Sequence, residues 1–178
     1  MNEQYKQQEL WQSTEQACTL PHVGSSTGAL FSSCGKYRYV LWRVWDDSKP
    51  KVMFIGLNPS TANEESDDPT IRRVKTFAKT WGFGGVYMLN LFTYVTDYPE
   101  ELKKCDDPLG PADYYLMEYA QKSEKIIFAW GNFKECKARA KEVRFLLAAC
   151  NTYMLIENKD GSPRHPLYVP GNVVPVRV

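Results

Sequence analysis

The stretch KVMFIGLNPSTA, residues 51–62, decides the fold. Its first half is an unbroken apolar run ending on Gly56; its second half is a turn built from Asn58, Pro59, Ser60 and Thr61. An apolar run without alternation reads as a strand buried on both faces, the habit of a parallel sheet. Gly56 permits close backbone approach, and Pro59 fixes the turn without needing a donor. Short polar side chains placed just beyond such a strand either satisfy their own loop or face a ligand.

Downstream the chain alternates helices and strands. Asp68 followed by Pro69 is an N-cap with a first-turn proline; Ile71, Val74, Phe77, Ala78 and Trp81 then recur at helical spacing until Gly82. VYMLN (86–90) reads as a strand, Pro111–Lys122 as a helix and KIIFAW (125–130) as a strand. A helix from about Lys134 to Ala149 is expected to bury Cys136, Ala140, Val143, Leu146 and Leu147, before the strand TYMLI (152–156). Upstream, KYRYVLWRVW (36–45) alternates and is rich in aromatic and β-branched residues; with the turn at 46–50 it predicts an antiparallel hairpin with KVMFIG. Residues 20–35 read as loop and 1–16 as a polar helix with Leu10 and Trp11 as docking points. The expected organisation is an arm over 1–27 and one α/β domain over 28–178: a three-layer sandwich with a central, mostly parallel four-stranded sheet, right-handed crossovers and an antiparallel edge strand.

In such sheets ligands bind beyond the carboxyl ends of the strands. Four polar segments fall there: GLNPSTA, NLFTY, WGN and KDGSPRHPLY. The candidate binding residues are Gly56, Leu57, Asn58, Pro59, Ser60 and Thr61 from the first, Asn90 and Phe92 from the second, Trp130 from the third and His165 from the last. His165 lies between Pro163 and Pro166. It is either a satisfied packing residue or an imidazole held rigidly at the pocket as a donor or an acid and base. Arg72 and Arg73, near the start of the first crossover helix, are candidates for phosphate, or they pair with Asp67 and Asp68. Lys134, Lys137, Arg139, Lys141 and Arg144 read as a solvated helix face.

Composition narrows the function classes. The 178 residues carry a net charge of +1 and are 43% hydrophobic, as in an ordinary globular domain without a global pull toward nucleic acid. No apolar stretch approaches the ~20 residues of a membrane span, and MNEQYKQQEL lacks a signal pattern, so the expected location is cytoplasmic. The five cysteines are odd in number, include no Cys-x-x-Cys pair and read as reduced thiols. Cys18, His22 and Cys34 fit no common zinc spacing. Neither metal nor cofactor is expected. GSSTG (24–28) matches a nucleophile-elbow pattern but lacks the flanking strand and helix. Glu64, Glu65, Asp67 and Asp68 read as a solvated capping loop, or as Mg²⁺ ligands if phosphates are present.

GLNPSTA, DDPTIRR, WGFGG, NLF, DPLGP, AWG and GSPRHPLY, in this order over about residues 28–170, resemble an uncharacterised family of bacterial and phage proteins, domain of unknown function 1643. That likeness implies no activity. GLNPS and HPLY also resemble the first and last motifs of the uracil-DNA glycosylase superfamily, above all its mismatch-specific branch. The second likeness implies that Asn58 positions the water attacking the sugar C1′, His165 stabilises the departing base, Asn90 reads the base edge and Phe92 stacks on the ring. Leu167 is then a wedge, or else a core residue beside Tyr168. Asn58 is no general base, so catalysis would rest on stabilising the leaving group. Two functions stay open: an N-glycosidic hydrolase acting on DNA or a nucleotide, and a non-catalytic nucleotide- or base-binding module.

Overall fold

The computed structural model describes residues 27–60, 62 and 65–178. The expected arm helix, Cys18 and His22, and Thr61 lie outside the described residues. The seven strands are β1 (Thr27–Phe31), β2 (Arg38–Val44), β3 (Lys51–Gly56), β4 (Gly85–Asn90), β5 (Lys125–Phe128), β6 (Thr152–Met154) and β7 (Val176–Arg177). They form one mixed sheet in the order β1-β2-β4-β3-β5-β6-β7. Among the described residues three α-helices accompany it: α1 (Pro69–Thr80), α2 (Ala112–Gln121) and α3 (Lys137–Leu146). The protein is therefore α/β, and its four central strands, β4, β3, β5 and β6, are mutually parallel.

α1 begins as its residues require. Asp68 accepts a hydrogen bond from Ile71 N at 2.7 Å, Pro69 occupies the first turn, and Gly82 beyond the helix has φ +84°. Its buried stripe of Ile71, Val74, Phe77 and Ala78 packs with Val52, Phe54 and Val86 on one face of the sheet. The other face buries Met53, Ile55, Leu89 and Phe128 beneath Leu116 and Tyr119 of α2 and Ala140 and Val143 of α3. Burying each of the larger side chains contributes about 1.5–3 kcal/mol. The connection β3-α1-β4 runs one way along the sheet, and the connections through α2 and α3 run the other way. A single crossover hand then demands opposite faces, as found.

Four expectations are corrected. The hairpin does not form: β2 pairs antiparallel with β4 and with β1, because both edges of β3 are taken by its parallel partners β4 and β5. The 45–50 turn instead packs over the start of β4, where Trp45 N and Asp46 N both donate to Gly84 O at 2.9 Å. A Cβ on Gly84 would stand 1.9 Å from Asp46 O, so the approach needs glycine. Residues 27–31, read as loop, are strand β1. The last helix starts as a 3-10 turn at Lys134–Cys136 and ends at Leu146, which is half-buried. Arg139 leaves the solvated set: it is buried, donates from Nε to Leu91 O at 3.0 Å and pairs with Asp113 of α2.

Candidate functional site

β3 and β5 are neighbours whose onward connections leave in opposite directions along the sheet. Such a switch point opens a crevice at the carboxyl ends. A cavity of about 260 Å³ lies there, lined by Gly56, Leu57, Asn58 and Ser60 after β3, by Asn90 at the end of β4 and by Trp130 beyond β5. His165 reaches it from the segment after β6, and Asp68, Thr70 and Ile71 reach it from the start of α1. Arg38 joins them because β2 runs antiparallel to β4 and so begins at the rim where its neighbour ends.

The turn after β3 is docked onto the next loop. Phe92 N donates to Leu57 O at 3.0 Å and Thr96 N to Pro59 O at 3.0 Å. Asn58 Nδ2 donates to Thr96 O at 2.6 Å and to Pro59 O at 3.0 Å, so its nitrogen braces the loop while the residue lines the cavity. Ser60 Oγ donates to Asp68 Oδ2 at 2.7 Å, tying the turn to the cap of α1. Asn90 is buried; with its amide nitrogen toward the neighbouring carbonyls it donates to Leu89 O at 3.2 Å and Asn58 O at 3.3 Å. A Cβ on Gly56 would meet Met88 Cε at 2.7 Å and the Asn90 carboxamide at 2.8 Å, which is why the apolar run ends on glycine.

His165 is fixed by the loop that carries it. Arg164 N donates to Ile156 O at 2.8 Å, Arg164 Nε to Asn158 Oδ1 at 3.0 Å, and Pro166 opens a 3-10 turn over Pro166–Tyr168. His165 Nδ1 accepts from Leu167 N at 3.4 Å, so the neutral ring carries its proton on Nε2. Burial lowers the imidazole pKa from its ordinary 6.5, against an opposing pull from Asp68. At pH 7 the ring is a neutral donor. Trp130 is buried, its ring centroid 4.7 Å from that of Phe128.

The remaining expected residues fall elsewhere. Phe92 packs against the core face beneath α2 and α3 and does not line the cavity. Pro59 is buried in the loop. Arg72 donates to Asp67 O; Arg73 donates to Val169 O and stacks 4.8 Å from the Phe77 ring. Neither arginine lines the cavity. Leu167 is 43% exposed and is not a core residue. Arg38, Thr70, Thr96 and Asp97 line the cavity without having been singled out.

Fold and cavity together define an α/β protein with a polar pocket at the carboxyl edge of a mixed sheet. The chain belongs to the family described as a protein of unknown function (DUF1643), whose model matches residues 38–167. That span holds every lining residue named above, from Arg38 to His165. No curated protein and no solved structure matches the chain. Among the described residues no group of histidines, cysteines and carboxylates is arranged to hold a metal ion, and no helix is long and apolar enough to cross a membrane.

Proposed function

We propose that the rim cavity receives a nucleobase, as part of a nucleotide or of DNA, and that the protein hydrolyses the N-glycosidic bond. The observation that carries this is the meeting of Asn58, Asn90, Trp130 and His165 in one cavity of about 260 Å³. That volume lies below the ~300–1,000 Å³ of drug-sized sites and suits one ring with its near substituents. Two carboxamides and a neutral imidazole match the edge of a heterocycle, and Trp130 adds an apolar wall. The motif likeness of GLNPS and HPLY to the uracil-DNA glycosylase superfamily agrees with this assignment and with a related fold of the sheet.

In the reaction, water held by Asn58 Oδ1 forms the new O–C1′ bond as the C1′–N bond breaks. The bonding pair leaves on the base nitrogen, and the proton lost by the water passes to solvent or to the departing base. His165 Nε2–H donates to the base as negative charge develops there, a fixed dipole aimed where it is needed. Asp68 also lines the cavity and supplies the carboxylate that Asn58 cannot. Its oxygens accept from Ile71 N and Ser60 Oγ, which hold it in place.

A binding module without turnover is favoured by one feature: the Asn58 and Asn90 nitrogens are both spent on backbone carbonyls, which makes a rigid wall. Incubation with modified oligonucleotides and with free nucleotides, followed by chromatography of released base, separates the two. Release that is lost in Asn58→Ala and His165→Ala is expected for the hydrolase. Saturable binding with no product would establish the module, and neither binding nor release would remove both.

A further inference from the structure

Strand β2 buries two arginines, and the fold treats them differently. Arg43 meets Asp67 at 2.9 Å and also donates to Trp42 O, Gly28 O and Ser66 O. Arg38 is 2% exposed; Nη1 donates to Ala62 O at 2.7 Å, and buried Nε has no partner. Among the described residues Arg38 forms no ion pair. Asp68 acts on it electrostatically, but both Asp68 oxygens already accept hydrogen bonds. Burial lowers the guanidinium pKa to about 10, so it remains charged at neutral pH. A buried cation without a direct ion pair is costly, and this one stands in the cavity wall. Arginine presents a planar fork suited to two parallel bonds with an oxyanion.

We infer that Arg38 is the oxyanion-binding residue of the rim cavity, and that the ligand brings a phosphoryl or carboxylate group to its unpaired Nε edge. The inference rests on the nucleobase reading only in making a nucleoside monophosphate the favoured carrier of that group. Titration calorimetry and thermal shift with the wild type, Arg38→Gln and Arg38→Lys test it. The probes are the common nucleosides, their 5′-monophosphates, orotate as a ring carboxylate, and inorganic phosphate.

The wild type is expected to bind a monophosphate or orotate at least about tenfold tighter than the neutral nucleosides, the effect of one charge-assisted pair. Arg38→Gln is expected to lose that preference while keeping nucleoside affinity, and without ligand to melt no lower than the wild type, because it removes a buried charge that has no direct ion pair. Arg38→Lys keeps the charge without the fork and retains part of the preference. Equal binding of charged and neutral probes by the wild type would overturn the inference, as would a preference that survives in Arg38→Gln. A lower melting temperature in the unliganded glutamine variant, with the preference intact, would make Arg38 a structural residue. If inorganic phosphate or orotate stabilises the wild type through Arg38 while no nucleoside binds, the oxyanion site stands and the nucleobase reading falls. If Arg38→Gln does not fold, the wild-type comparison and the lysine variant decide.

Discussion

Asp67 holds two cations at once: Arg43 Nε at 2.9 Å and Lys75 Nζ at 2.5 Å. Burial pushes its carboxyl up, but the hydrogen bonds from Lys75 and Arg43 outweigh that and hold it below the ordinary 3.8. Its contribution is therefore complete above pH 3.8 and is lost as pH falls through the lowered folded value. Asp67→Asn leaves Arg43 buried without its counter-charge; a loss of about 3 kcal/mol is expected by urea denaturation at pH 7. His165 acts in the same direction at higher pH. Its folded pKa lies below 6.5, so the unfolded chain binds the proton better and stability falls as pH drops below about 6.5. His165→Gln should flatten that part of the stability profile, and an unchanged slope would place the titration elsewhere. The place of Asn58 and His165 at the cavity was legible because each follows a strand and sits against a proline. Arg38 was not: in an alternating strand it looks like any outward-facing charge, and only the pairing of β2 with β4 brings it to the rim.

β3 and β4 meet at their carboxyl ends with Gly56 opposite Asn90. Gly56→Ala would place a methyl against two flexible side-chain ends, Met88 Cε and the Asn90 carboxamide. Both can swing away. The expected result is a small fall in melting temperature with a large fall in ligand affinity, as Asn90 is turned from its place. α1 is capped by Asp68, whose removal in Asp68→Ala should cost about 1 kcal/mol, or roughly 2–4 °C in a chain of this size. The same change frees Ser60 and removes one of the two carboxylates lining the cavity, so under the hydrolase proposal base release should fall by more than stability accounts for. Helix and strand periods, the Asp68-Pro69 start and the parallel character of the apolar runs could be read from residues alone, because they are local. The partner of β2 could not. Antiparallel pairing with β3 is the shorter closure, but β3 has no free edge once β4 and β5 flank it. β1 escaped notice because TGALF is short, glycine-bearing and only partly buried, as an edge strand is.

Across the molecule, the order β4-β3-β5 makes one edge of the sheet the place where polar side chains gather around a cavity. It puts the ends of three parallel strands, the start of the antiparallel β2 and the capped end of α1 around one cavity. Convergence of the four polar loops could be foreseen from strand alternation; the absence of Phe92, Arg72 and Arg73 from the cavity could not, since it depends on which way each element faces. Amide and indole chemical-shift mapping of the ¹⁵N-labelled protein, titrated with nucleosides and nucleoside 5′-monophosphates, addresses the assignment as a whole. Saturable shifts are expected at Gly56, Leu57, Asn58, Ser60, Asn90, the Trp130 indole and His165. Shifts confined to other surfaces, or none with any of these compounds, would contradict it.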